Sequence, residues 1–249
     1  MGGADSIREA SVRIRRARRI AVLTGAGIST PSGIPDFRSA DGIYSDERTA
    51  NVFDIGEFRR RPELFYRFAR EFYPLLERAQ PNAAHRALAE WEHGGKEVHI
   101  ATQNIDDLHQ RAGSTRVYPV HGTVETSTCM DCGQTRQTHH LVSQVMAGDI
   151  PRCECGGVFK PDITFFGEML PEIAWDRAVA AMRQADLILV IGTSLAVYPA
   201  ASLPDYRKNQ AELILVNRDP TPLDAEAHIV LRGDLAALLD EVARFLRDE

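Results

Sequence analysis

Short continuous apolar runs recur along the chain at Ile20–Thr24, Val98–Thr102, Leu187–Gly192, Leu213–Asn217 and Ile229–Leu231. They lack the apolar–polar alternation of a half-exposed strand and instead fit strands buried on both faces. Between them lie stretches with apolar positions at helical spacing, roughly 62–77, 82–91, 171–185 and 235–247. Strand and helix in alternation predict an α/β fold, Rossmann-like, with a doubly wound and mostly parallel sheet. Near the N-terminus Ile7, Ala10, Ile14 and Ala17 share one helical face, and Ser6-x-x-Glu9 has the form of a capping box. A helix capped by Ser6 and feeding the first strand is expected there.

Two segments interrupt the alternation of a single domain spanning 1–249. Residues 41–80 are rich in arginine and aromatics (Tyr44, Phe53, Phe58, Phe65, Tyr66, Phe68, Phe72, Tyr73) and lack strand character, which predicts a helical insertion. Residues 125–158 are polar and carry all four cysteines: Cys129-x-x-Cys132, twenty residues, then Cys153-x-Cys155. Gly133 and Gly156-Gly157 follow the pairs and permit tight turns that bring backbone amides to the sulfurs. Four thiolates on two such turns make a tetrahedral zinc site, one per chain, with no open position for water or substrate and hence structural. Two disulfides or unrelated buried thiols are the competing readings; nothing suggests export, which disfavours the first. The metal would supply the stability that so small a core lacks.

Composition narrows the class. Hydrophobic residues make 44% and charged residues 26% of the chain, as in globular proteins. The net charge of −6 argues against sequence-specific nucleic-acid binding and against docking on anionic membranes. No apolar run approaches a membrane span and no signal-peptide core opens the chain, so a cytoplasmic protein is expected. Met1-Gly2 through Ser6 fits a bare myristoylation pattern, and six arginines fall within residues 8–19. The amphipathic face just described makes this stretch part of the fold instead.

Candidate chemistry starts where the first strand ends. Gly25, Ala26 and Gly27 follow Thr24 as a Gly-x-Gly turn that lets backbone approach a pyrophosphate, although Thr30 replaces the third glycine of the dinucleotide fingerprint. Ser32-Gly33 and Ile34-Pro35 break any helix, so a loop delivers Asp36, Phe37 and Arg38 beside the phosphates. A carboxylate, an aromatic ring and a guanidinium at the reacting end of a nucleotide suit chemistry on that nucleotide. Further strand ends carry Gln103, Asn104, Ile105 and Asp106; His121-Gly122; Gly192, Thr193 and Ser194; and Asn217. His121 is a candidate base because imidazole takes a proton near neutral pH, and by itself it is one histidine among eight.

The run from Thr24 to Arg38, with the motifs that follow it in order, resembles the signature of the sirtuins, the NAD-dependent protein deacylases, from about Ile7 to Leu246. The resemblance implies NAD as co-substrate and acetyl-lysine proteins or peptides as partners. It implies that Gln103 and Asn104 hold the nicotinamide ribose and an ordered water, and that Ile105 and Asp106 bind the carboxamide. Phe37 would cover the ribose after nicotinamide leaves, and Arg38 would pair with phosphate. Gly192, Thr193, Ser194, Asn217 and the turn at Asp234 and Leu235 would contact the adenosine half. Phe166, Gly167, Glu168 and Val197 would flank the substrate peptide, with extended backbone adding a strand to it. His121 becomes the catalytic base and Asn104 its companion. The implied product is O-acetyl-ADP-ribose, with free lysine and nicotinamide. Transfer of ADP-ribose to another acceptor or to water is the alternative, and a non-catalytic NAD or ADP-ribose sensor a further one. Sirtuins that favour succinyl groups carry Tyr-x-x-Arg in the helical insertion; aligning Tyr66 with that tyrosine puts Ala69 in the arginine's place, so apolar acyl groups are expected.

Overall fold

A computed structural model of the chain describes residues 3–36, 42 and 51–248. Helix α1 (Gly3–Arg16) leads into strand β1 (Arg19–Thr24), then come α2 (Ile55–Arg60), α3 (Pro62–Arg78), α4 (Ala83–His93), β2 (Glu97–Thr102), α5 (Leu108–Arg111) and β3 (Val117–Pro119). The middle of the chain forms β4 (Gly122–Cys129), β5 (Thr135–Gln137), α6 (Val142–Ala147) and β6 (Phe159–Ile163). The last third returns to the first pattern with α7 (Glu172–Gln184), β7 (Leu187–Ile191), β8 (Glu212–Val216), β9 (Ile229–Leu231) and α8 (Leu235–Asp248).

Six strands make one parallel sheet in the order β3-β2-β1-β7-β8-β9. Because successive residues of a strand face opposite ways, β1 sends Ile20 and Val22 to a core shared with α1, α4 and α8. It sends Ala21 and Leu23 to a second core, with Ala178 and Met182 of α7. Both faces are covered, which explains the continuous apolar runs. The strand order reverses between β1 and β7, the position where sheets of this kind open a ligand crevice at their carboxyl ends.

Helix α1 buries Ile7, Ala10 and Ile14 as its spacing requires. Its start differs from expectation. The helix begins at Gly3 with Asp5 in its first turn, so Ser6 lies inside it and caps nothing; an acidic group there favours the positive end of the helix dipole and carries the first turn further back. Helix α4 does begin as read, with the Asn82 side chain accepting from the Ala84 N–H.

The second sheet is antiparallel, in the order β5-β4-β6, and its residues gave no strand signal in the sequence. Its own core is Cys129, Leu141, Cys153 and Phe159. Beside it α2, α3 and α6 enclose an aromatic cluster in which Phe53, Phe58, Phe65 and Phe165 meet at 5.3–6.1 Å, edge to face except for the tilted Phe65–Phe165 pair. Tyr66 belongs to this cluster, and its hydroxyl donates to the Phe159 carbonyl. Among the described residues no helix is long and apolar enough to cross a membrane.

Candidate active site

A cleft of about 1330 Å³ runs along the carboxyl ends of the parallel strands, between them and the smaller sheet. Most residues singled out in the sequence line it: Gly25, Ala26, Gly27, Thr30, Asp36, Gln103, Asn104, Ile105, His121, Gly192, Thr193, Ser194, Asn217, Asp234, Leu235, Phe166, Gly167, Glu168 and Val197. Asp106 is not among the lining residues. Phe37 and Arg38 lie outside the described residues.

The glycines of the first turn act differently from the expectation. The Gly25 and Gly27 N–H groups donate to the carbonyls of Ile191 and Gly192, at 3.1 and 2.9 Å, so these amides are not offered to a phosphate. A Cβ on Gly25 would stand 2.7 Å from Thr193 Cβ, and one on Gly192 would stand 2.4 Å from the Ile28 nitrogen. The two turns are glycine-rich because they pack directly on each other across the switch point. Gln103 ties the same two turns together, its amide donating to Thr193 Oγ1 at 2.9 Å.

His121 is half-buried, and its Nδ1 lies 3.1 Å from the Gln103 carbonyl oxygen. A carbonyl only accepts, so the proton sits on Nδ1 and Nε2 keeps its lone pair. Burial lowers the imidazole pKa, with the Gln103 carbonyl pulling the other way, and the ring is held as the neutral base.

Behind His121 runs a directed chain that the sequence reading missed. The Asn104 amide donates to Ser29 Oγ at 3.0 Å, and the Ser29 hydroxyl donates to Asp106 Oδ2 at 2.9 Å. Asp106 Oδ1 also accepts the Leu108 N–H at 3.1 Å. Burial raises the Asp106 pKa, opposed by the bond from Ser29. Asp106 therefore orients Asn104 from one layer behind the cleft, and the Asn104 amide oxygen is the acceptor left to face it. Ser29 stood within the quoted motif; its 1% exposure, which no sequence pattern displays, marks its part.

At the far end, Asp234 caps α8 by accepting the Ala237 N–H at 2.8 Å. Asn217 donates to the Asp219 carbonyl at 2.8 Å. Arg218, which carried no motif, joins the lining there and lies 4.0 Å from Asp36. It is the only lysine or arginine among the described lining residues.

The opposite wall is the Phe165–Glu168 turn and the segment 195–199. Phe166 is 55% exposed toward the cleft, whereas Phe165 is buried in the aromatic cluster. The Phe166 backbone is already paired, its N–H donating to Phe53 O at 2.7 Å and its carbonyl accepting from Ile55 N–H at 3.1 Å. An added peptide strand would therefore have to pair with other backbone of the turn or of 195–199. Tyr66 is not among the described lining residues either; it is buried in the aromatic cluster with its hydroxyl turned to β6.

The four cysteines converge away from this cleft. Their sulfurs lie within 4.8 Å of one another, with Cys129–Cys155 at 3.5 Å and Cys132–Cys153 at 3.6 Å. These separations exclude S–S bonds of about 2.05 Å and match the roughly 3.8 Å edge of a tetrahedron with Zn–S arms of about 2.3 Å. Backbone N–H groups of Cys132 and Asp131 pull the Cys129 thiol down to about 7. The Gly157 N–H favours the Cys155 thiolate, yet the Cys132 and Cys129 sulfurs push that thiol up to about 12. Four thiolates so close need a cation between them. A Cβ on Gly157 would stand 2.6 Å from Cys129 Sγ, so the shortened second turn wraps the sulfurs closely. His139 and His140 do not join the cluster among the described residues.

Residues 25–199 match the model of the Sir2 family. The chain is 43% identical to an NAD-dependent protein deacetylase of Thermotoga maritima, over 95% of each chain. It is 40% identical to NAD-dependent protein deacylase 2 of Archaeoglobus fulgidus, over 98% of this chain and 99% of that one. Among solved structures, a Sir2 enzyme superposes with a TM-score of 0.92 at 39% identity, covering 98% of both chains. A Sir2 complex with p53 peptide and NAD+ superposes with a TM-score of 0.86 at 41% identity, covering 97% of both.

Proposed function

The chain belongs to the Sir2 family, and we propose that it is an NAD-dependent protein-lysine deacetylase acting on acetyl-lysine peptides and proteins. The observation that carries this reading is His121: a neutral imidazole with its tautomer fixed by the Gln103 carbonyl, at the meeting of the nucleotide turns and the Phe166 wall.

The fit to NAD rests on the cleft itself. At about 1330 Å³ it has room for a dinucleotide, with small-residue turns at its centre, Asn217, Asp234 and Leu235 at one end and Asn104, Ile105 and His121 at the other. Bound there, NAD supplies a ribose carbon that accepts the acetyl oxygen as nicotinamide leaves. His121 Nε2 then takes the proton of a ribose hydroxyl, which makes that oxygen a nucleophile toward the acetyl carbon. Asn104, held by Ser29 and Asp106, fixes the ribose and a water by its amide oxygen. Phe166 and Val197 enclose the apolar lysine stem, and water is kept off the reacting atoms by these walls. Ile105, Ile163 and Phe165 give the acyl group an apolar setting. Among the described lining residues the one arginine, Arg218, stands at the adenosine end, and none of them offers a succinyl carboxylate a cationic partner at the acyl end.

The four cysteines hold one structural zinc; all four sites of the tetrahedron are protein sulfur, and none of these residues lines the cleft. We assign the enzyme to the cytoplasm, where a reducing environment keeps such thiols available to the metal. A net charge of −6 suits neither sequence-specific nucleic-acid binding nor an anionic membrane.

Mass spectrometry of the purified enzyme with NAD and acetyl-lysine or succinyl-lysine peptide tests the reading. Expected are nicotinamide, deacetylated peptide and O-acetyl-ADP-ribose in equal amounts, with acetyl the better substrate. ADP-ribosylated protein with the acetyl group retained, or ADP-ribose alone, would contradict it.

A further inference from the structure

Strand β6 places a lysine where an apolar side chain would satisfy the fold. Lys160 is 7% exposed, between Phe159 of the zinc-sheet core and the buried ring of Phe165. A buried ammonium is costly unless every proton is engaged, and here all three are. Lys160 Nζ donates to the Ile163 carbonyl at 2.8 Å and the Pro161 carbonyl at 3.1 Å, and it meets Glu168 Oε2 at 2.8 Å. It also lies 4.3 Å from the centroid of the Phe165 ring, within cation–π range.

The same carboxylate oxygen of Glu168 accepts the Phe165 N–H at 2.8 Å, while the Glu168 N–H donates to the Phe165 carbonyl at 3.0 Å. The turn that exposes Phe166 to the cleft is thus closed on itself by Glu168, and Glu168 is anchored to β6 by Lys160. One residue before the turn, the Thr164 N–H donates to the His121 carbonyl at 2.8 Å. On its other side β6 pairs with β4, Lys160 opposite Thr128 and Phe159 opposite the zinc ligand Cys129. The peptide wall, the base and the zinc sheet therefore meet at one ion pair, its ammonium buried and its carboxylate at the edge of the cleft.

We propose that Lys160 is a positioning residue for substrate: through Glu168 it sets where Phe166 stands against the acyl-lysine, and it does not touch substrate itself. The Glu168 carboxylate, on this reading, is spent on Lys160 and the Phe165 N–H and makes no contact with the peptide. The inference rests on the deacetylase reading of the cleft, and wild-type turnover of acetyl peptide, measured first, tests that reading separately.

The experiment compares KM for an acetyl-lysine peptide with KM for NAD in wild type, Lys160→Met, Lys160→Arg, Glu168→Gln and the double variant Lys160→Met/Glu168→Gln. Loss of the clamp misplaces Phe166, and small displacements of a positioning group are costly; Lys160→Met should raise peptide KM about tenfold while NAD KM stays within about twofold. Lys160→Arg keeps the charge and should recover most of the loss. Because the two residues act as one unit, the double variant should be no more than about twofold worse than Lys160→Met. An unchanged peptide KM in Lys160→Met, an equal rise in both KM values, or multiplicative effects in the double variant would overturn the proposal. Should Lys160→Met fail to fold, Glu168→Gln decides: the neutral amide keeps an acceptor for the Phe165 N–H but weakens the bond to Lys160, so peptide KM must rise with NAD KM unchanged, and equal changes in both overturn it.

Discussion

The six-stranded sheet buries side chains on both faces, Ile20, Val22, Leu189 and Ile214 on one and Leu23, Ile188, Val190 and Leu213 on the other. The three-stranded sheet has a core of Cys129, Leu141, Cys153 and Phe159, two of them sulfur ligands. The large sheet can stand on the burial of apolar surface, at roughly 25 cal/mol per Å². The small one has too little surface of that kind and stands on the metal and on the aromatic cluster beside it. The cleft lies between the two, so nucleotide and peptide are met by walls of different origin: packed backbone turns on one side, a metal-supported turn on the other.

Removing the metal is the largest way to break that contrast. In small zinc modules the ion supplies on the order of 10 kcal/mol of folding free energy. Chelation, or Cys153→Ser, should therefore remove amide protection from 122–163 while the strands of the large sheet keep theirs. Hydrogen exchange with metal analysis checks this; a metal-free chain with full protection in 122–163 would end the structural-zinc reading.

Chemistry without stability is the complementary test. His121→Ala should lower kcat by about 10²–10⁴, leave NAD affinity within a few-fold, and leave the melting temperature unchanged, since the ring faces the cleft and supports neither core. Because burial depresses the His121 pKa, the neutral base persists below the ordinary value, and the acid limb of kcat should lie under pH 6.5 and be absent from the residual activity of the variant. Near-normal turnover in folded His121→Ala contradicts the assigned mechanism.

A smaller effect separates the layers by pH. His85 on α4 is fully buried against His109, with ring centroids 4.8 Å apart, and burial depresses its pKa from 6.5 to about 4. A group with a depressed folded pKa that is neutral when buried leaves stability intact above 6.5. As pH falls from 6.5 toward 4 the unfolded chain takes up a proton that the folded chain refuses, at a cost of about 3 kcal/mol. Unfolding free energy should decline across that window, and His85→Asn should flatten the decline; equal slopes in both proteins would show that His85 is not its source.

The same contrast explains what could be read from the sequence. The large sheet was legible because strands buried on both faces write themselves as uninterrupted apolar runs, and its loops fall where those runs stop. The small sheet was not. Gly122–Cys129 and Thr135–Gln137 are dominated by threonine, serine and other polar residues, and their pairing depends on sulfurs distant in the chain. The cysteine spacing disclosed the zinc cluster without disclosing the strands. Residue types at the site were legible, directions were not. Asp106, Glu168 and Tyr66 each turn toward a buried partner, Ser29, Lys160 and the Phe159 carbonyl. Ser29 and Phe159 lie far off in sequence and Lys160 eight residues before Glu168, across a turn, and packing brings each near. Ser6 failed as a helix cap for a local reason, the acidic first turn ahead of it.

Ligand binding to zinc-stripped protein tests the division most directly. With calorimetry on zinc-loaded and stripped enzyme, NAD affinity should change by no more than a few-fold, because its turns belong to the large sheet. Acetyl-lysine peptide binding should be lost, because the Phe166 wall hangs on β6. Loss of NAD binding along with the metal, or peptide binding that survives its removal, would contradict the account.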